Sequence, residues 1–196
     1  MVHSNLRQVH STGWARTGLL AALGLLLQLG ACNDHSAADQ YEQQFRACSV
    51  AEGNGLLDSA VLTCGTALRI AEEQAYAPEQ RSSLLLKLGQ LERQRGNFEE
   101  AEKLLRRSLA IEESAGESGA PASRLIELAL ILAGEDRWLD GAELLERAIP
   151  LLDSLGGRDR SAAANVFRGY SLRLQMRGQP EHAARFMGVA QELNGA

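Results

Sequence analysis

Between Ser82 and Ala115 apolar residues return every three or four positions, on Leu85 and Leu88 and then, past a polar break, on Leu105 and Leu109. That is the period of an amphipathic helix, whereas a half-buried strand would alternate at every second residue. Arg95-Gly96-Asn97 separates the two runs as a turn signal, so the stretch predicts two antiparallel helices. Small residues, Gly89 and Ala101, fall where the two would cross most closely. The pattern recurs. Aligned on the small residue early in the second helix, copies stand at Ala60, Ala101, Gly141 and Ala183, at spacings of 41, 40 and 42 residues. The first copy runs from about Tyr41 to Glu52, turns at Gly53-Asn54-Gly55, and returns through Cys64, Ala67 and Leu68. The third opens near Ala122 after Pro121 and uses Leu125, Leu128 and Leu132, then Trp138, Leu145 and Ala148. Pro150 is expected to kink or shorten its second helix, because proline lacks the backbone donor. The fourth uses Phe167, Tyr170 and Leu174 and reopens at Pro180, with Ser171 where Gly89 stands in the second copy.

These hairpins resemble the tetratricopeptide repeat. Leu85, Leu88 and Leu105, with the small residues Gly89, Ala101 and Ser108, occupy the places that the repeat of about 34 residues reserves for large and small side chains. One such unit cannot bury its own apolar face, so copies must stack. The longer spacing puts extra residues at Ala75–Arg81, Ala115–Pro121 and Gly156–Ser161, expected as connections. Ala67-Leu68-Arg69-Ile70-Ala71-Glu72 and Ser108-Leu109-Ala110-Ile111-Glu112-Glu113 close the second helices in a way that is similar to the kinesin light chain type of long repeat. The expected fold is all-α, a right-handed superhelical solenoid of about four hairpins over residues 40–196, with repeats near 41–76, 82–116, 122–155 and 164–194. Aromatic residues make up only 5% of the chain, which suits packed helices better than a sheet core.

The resemblance also implies a groove lined by the first helix of each pair. Carried over residue by residue, its candidates are Phe45, Ser49, Leu86, Gln90, Arg93, Ile126, Leu130, Asn165, Arg168 and Leu172. The apolar members suit an extended or helical peptide from another protein, and the alternative is that these leucines pack between helices. The family's lysine and asparagine clamp for a C-terminal carboxylate is not reproduced. At the far end Phe186, Val189 and Leu193 are expected to lie uncovered and to pair with a second copy, giving a homodimer, or with a partner.

Cys48 and Cys64 occupy facing places in the first hairpin. A bridge is sterically allowed if their Cα atoms approach within about 7 Å, and closing a loop of about 15 residues would stabilise by about 3 kcal/mol in the chain-entropy model. The alternative is two buried free thiols. They lack the further ligands a metal site would need.

The chain's beginning has a different pattern. Arg7 and Arg16 precede a Leu-rich apolar run, Gly18–Leu29, too short to cross a bilayer that needs about 20 residues but suited to a signal peptide. The run ends in Leu29-Gly30-Ala31-Cys32, which resembles the lipobox of bacterial lipoproteins, so residues 1–31 are expected to be removed and Cys32 to be acylated. Acyl chains anchor by about 0.8 kcal/mol per buried methylene. Residues 32–39 would form a polar tether, and Asn33 rather than Asp after the cysteine implies the outer membrane, facing the periplasm.

Formal charge is -5, and Met1–Ala31 contributes two arginines and no acid, so the remainder is more acidic still and poorly matched to nucleic acid. His35 and His182 stand apart, and no Ser/His/Asp set, phosphate loop, metal pattern or cofactor motif is present. The expected function is therefore non-enzymatic: a membrane-anchored protein-binding scaffold or assembly factor in the bacterial cell envelope. The alternative is a regulatory subunit of an envelope enzyme such as a peptidoglycan synthase.

Overall fold

The computed structural model describes residues 37–115 and 121–195, less the side chain of residue 115. The chain divides into a leading unit, Met1–Gln40, and a compact unit, Tyr41–Ala196. Of the first, only residues 37–40 are described, and they are helical. Ala37, Ala38 and Asp39, assigned above to the tether, are thus already helix, in keeping with the high helix propensity of alanine. Cys32 lies outside the described residues.

Every element among the described residues is helical. Helix α1 extends to residue 53 and is followed by α2 (Leu57–Glu73), α3 (Pro78–Gln94), α4 (Phe98–Ala115), α5 (Pro121–Gly134) and α6 (Trp138–Ala148). A 3-10 segment, Ile149–Ser154, then leads to α7 (Gly157–Met176) and α8 (Pro180–Gly195). They form four successive hairpins, α1/α2 to α7/α8, each stacked on the one before. Among the described residues no helix is long and apolar enough to cross a membrane.

The small residues do what their spacing predicts. A Cβ on Gly89 would stand 2.7 Å from Leu105 Cγ and 3.4 Å from the Ala101 carbonyl oxygen, so α3 and α4 approach as closely as they do because nothing projects there. In the fourth hairpin Ser171 replaces that glycine without loss, since its Oγ donates 2.7 Å to the Ala183 carbonyl across the pair. The four hairpin turns close alike. In the second, Gly96 N–H meets the Arg93 carbonyl and Asn97 N–H the Glu92 carbonyl, a Schellman closure that needs one left-handed residue. Gly55, Gly96 and Gly178 supply it at φ of 71°, 82° and 72°, and Asp136 supplies it in the third turn at φ 62°.

Two expectations on element boundaries change. Much of the extra length per repeat extends the first helices rather than the connections: α3 starts at Pro78 and α7 at Gly157, inside stretches read as linkers. Proline and glycine are tolerated in a first turn, where backbone donors have no intrahelical acceptor. Pro150 ends α6 as an α-helix at Ala148, but the chain continues as 3-10 helix instead of opening into a loop.

The hairpins are joined along their second helices by ion pairs repeated once per step: Arg107–Glu72 at 2.6 Å, Arg147–Glu113 at 3.2 Å and Arg185–Glu146 at 2.9 Å. The first two pairs are exposed and Glu146 in the third is half-buried; such contacts contribute under about 1 kcal/mol each, so they set register more than stability. Core apolar packing carries the rest, in one cluster around Leu68, Leu84 and Leu91 and a larger one from Leu105 to Phe186.

Candidate functional site

The first helices present a concave surface with two cavities. One, of about 260 Å³, is floored by Leu86, Ile126, Leu130 and Val166 and edged by Gln90, Glu127, Leu155 and Asp159. The other, of about 270 Å³, is lined by Leu130, Ala133, Trp138, Asn165, Val166 and Tyr170. Leu130 and Val166 belong to both, so the cavities adjoin along α5 and α7. Helical spacing explains the floor, because Leu86 to Gln90 and Ile126 to Leu130 are each one turn apart on one face.

Of the ten groove candidates, the structure brings Leu86, Gln90, Ile126 and Leu130 into the first cavity and Asn165 into the second. Gln90 Nε2 donates to Glu127 Oε1 at 2.9 Å and Arg93 lies 3.3 Å from Glu127 Oε2, so these groups tie α3 to α5 as well as edging the groove. Ile126 is only 7% exposed and serves the core as much as the surface. Phe45 stacks on Tyr41 with centroids 6.0 Å apart and packs on the first core cluster, and the Ser49 hydroxyl donates to the Phe45 carbonyl. Neither lines these cavities. Arg168 donates to Asn165 Oδ1 at 3.1 Å, while Leu172 lies elsewhere, in a cavity between α7 and α8. Glu127, Leu155, Asp159 and Val166 were missed. Leu155 and Asp159 fall in or beside a stretch read as linker, and only the helical start of α7 brings them to the groove.

Phe186 requires a correction. It is fully buried, with ring centroids 5.4 Å from Phe167 and 6.3 Å from Tyr170, so it does not form an open apolar end. Leu193 is also buried and Val189 is partly covered by the same core. The aromatic residues of α7 reach across to α8 and close over these side chains, and the open apolar residues there are Leu172 and Met176.

Cys48 and Cys64 form a disulfide, with Cα atoms 5.1 Å apart and both residues fully buried between α1 and α2. Two polar features flank the groove. On one side Arg124 pairs with Glu112 in the core, and Ser82 and Ser108 complete the network: Ser82 Oγ donates 2.6 Å to Glu112 Oε1 and Ser108 Oγ donates 2.8 Å to the Ser82 carbonyl. Burial pulls the Arg124 guanidinium below its usual range, and Glu112 opposes that shift. On the other side Tyr170 donates to the Ala129 carbonyl, and burial pushes its phenol far above the usual value. Among the described residues no group of His, Cys, Asp and Glu could hold a metal ion. An apolar floor with a few polar groups at its edge can bind a side-chain stripe.

No family model matches the sequence, and no curated protein matches it. Solved structures do. BtubC from P. vanneervenii has a TM-score of 0.66 at 18% identity, covering 89% of this chain and 78% of its own. MamA has a TM-score of 0.60 at 14% identity, covering 79% and 78%, and a Podosopora anserina putative kinesin light chain with nearly identical TPR-like repeats has 0.58 at 19%, covering 90% and 87%. At such identities the likeness shows the fold, that of a tetratricopeptide-like solenoid.

Proposed function

We propose that this chain is a lipid-anchored scaffold that holds a peptide segment of another protein of the bacterial cell envelope. The observation that carries this is the apolar floor over Leu86, Leu130 and Val166, open to solvent on the concave side and edged by hydrogen-bonding groups. Binding of apolar side chains there needs no chemistry from the protein, only shape and a few polar anchors. The tetratricopeptide-like fold supports a binding role, the lipobox-like Leu29-Gly30-Ala31-Cys32 supports acylation, and Asn33 after the cysteine supports an outer-membrane address.

A photoreactive amino acid at Gln90, on the edge of the groove, should cross-link one protein reproducibly, and adding Leu130→Arg should cut that yield at least tenfold while the fold is retained by circular dichroism. Acyl labelling should disappear in Cys32→Ser. Cross-linking unaffected by Leu130→Arg removes the groove from consideration; capture of an envelope enzyme through the same floor makes the chain its regulatory subunit.

A further inference from the structure

The groove is built differently at its two ends, and the difference describes an occupant. One wall of the second cavity is Gly169, in the interior of α7, where glycine costs helix stability against alanine. Close packing does not call for it. A Cβ on Gly169 would meet nothing within 4 Å, whereas one on Gly89 or Gly141 would strike a neighbouring side chain. What the missing side chain provides is room: the cavity of about 270 Å³ stays open beside Trp138 and Tyr170, whose ring centroids are 4.9 Å apart. An apolar space walled by rings suits one large side chain, aliphatic or aromatic.

Charge gives the groove a direction. Asp159, at the edge of the first cavity, is exposed and has no ion pair or hydrogen bond among the described residues. The other charged groups lining that cavity are already met, Arg124 by Glu112 and Glu127 by Arg93 and Gln90. At the second cavity the sign reverses. Arg168 is exposed, donates to Asn165 Oδ1 on the cavity wall at 3.1 Å, and meets no carboxylate among the described residues. Its neighbour Arg173 is already paired with Asp136. Asp159 and Arg168 lie nine residues apart on α7, about 13 Å along its axis, which an extended chain covers in about four residues.

We infer that the groove takes an extended segment of another protein in which a basic residue set against Asp159 and an acidic residue set against Arg168 stand about four positions apart, with a large apolar side chain beside the acidic one, seated against Gly169 and Trp138. This rests on the reading of the groove as a peptide site and adds the composition of its ligand.

The probe is a phage-displayed library of random peptides of about twelve residues, up to about 40 Å long when extended, panned on the full chain. Enriched sequences are expected to share the three features, and a synthetic peptide of their consensus should bind saturably by fluorescence anisotropy. Gly169→Leu should weaken that peptide at least tenfold while the melting temperature holds or rises, because leucine favours the helix and its Cβ meets no neighbour. Loss of folding cannot produce that combination. Panning on Asp159→Lys should exchange the basic residue of the consensus for an acidic one. No enrichment, or enrichment untouched by Leu130→Arg, removes the groove as a peptide site and this inference with it. Binding that Leu130→Arg abolishes but that is unaffected by Gly169→Leu or by Asp159→Lys overturns the inference and spares the groove. So does sedimentation showing self-association that Gly169→Leu abolishes, which gives the cavity to a second copy.

Discussion

Between the second and third hairpins the seam is polar; between the third and fourth it is aromatic. In the first, Ser82, Ser108, Glu112 and Arg124 come from three helices and bond one another away from water, leaving Glu112 Oε2 without a hydrogen bond among the described residues. In the second, Trp138 and Tyr170 meet with centroids 4.9 Å apart, and Phe167 and Phe186 extend the ring contacts into the fourth hairpin. One period and one topology therefore accept two chemistries at the joint. The polar seam gains little net free energy, because desolvating Arg124 and Glu112 offsets much of their attraction, but its directional bonds form in one register. The aromatic seam adds about 0.5–1.5 kcal/mol per well-placed ring pair. Inside it the Tyr170 hydroxyl donates to the Ala129 carbonyl, adding one directional contact to the rings.

The contrast can be broken most sharply at Glu112. With side chains only 5% and 9% exposed, removing Glu112 takes away the carboxylate that faces the buried Arg124 guanidinium, and Glu112→Ala should cost about 3–5 kcal/mol by chemical denaturation. Replacing both partners, Glu112→Leu with Arg124→Met, should return stability to within about 1 kcal/mol of the parent or above it. A loss below about 1 kcal/mol from the single change would mean that the seam is not dry.

At the aromatic joint the corresponding break is steric. A Cβ on Gly141 would collide with the Tyr170 hydroxyl and stand 3.2 Å from the Ala129 carbonyl oxygen. Gly141→Ala should cost about 1–3 kcal/mol, despite alanine's better helix propensity, and less in a Tyr170→Phe background. Equal cost in both backgrounds would remove the hydroxyl from the explanation.

The smallest effect sharpens the comparison at the edge of the same joint. Asp136 accepts from Arg177 and from Trp138 Nε1, and the Arg177 hydrogen bond, helped by its charge, holds the Asp136 carboxyl below the usual range. A carboxyl lowered in the folded state stabilises fully above its unfolded pKa of about 3.9, and that contribution is lost as pH falls through the folded value. Between about pH 5 and pH 2.5 the parent should therefore lose slightly more thermal stability than Asp136→Asn, and parallel profiles would deny the pair a role.

Most of the architecture was legible from spacing, because close helix crossing demands small residues at Gly89, Ala101, Gly141 and Ala183 and their interval announces stacked hairpins. Long-range partnering was less so. Nothing local marks Arg124 as buried rather than surface, since its neutralising group, Glu112, lies on another helix. Phe186 was misread because its place in the repeat was weighed without the rings on α7 that enclose it. The groove was half visible: Leu86, Gln90, Ile126 and Leu130 follow from helix periodicity, whereas Leu155 and Asp159 depend on where α7 begins.

The six residues after Ala148 bear on modularity. A 3-10 segment advances about 2.0 Å per residue against about 1.5 Å for an α-helix, so this stretch gains roughly 3 Å of travel before α7 starts. The link from α6 to α7 is therefore longer than a continued α-helix of the same residues would be. Shuffled chimeras that exchange the fourth hairpin for the second should misalign the interlocking surfaces unless Pro150 and its neighbours travel with it.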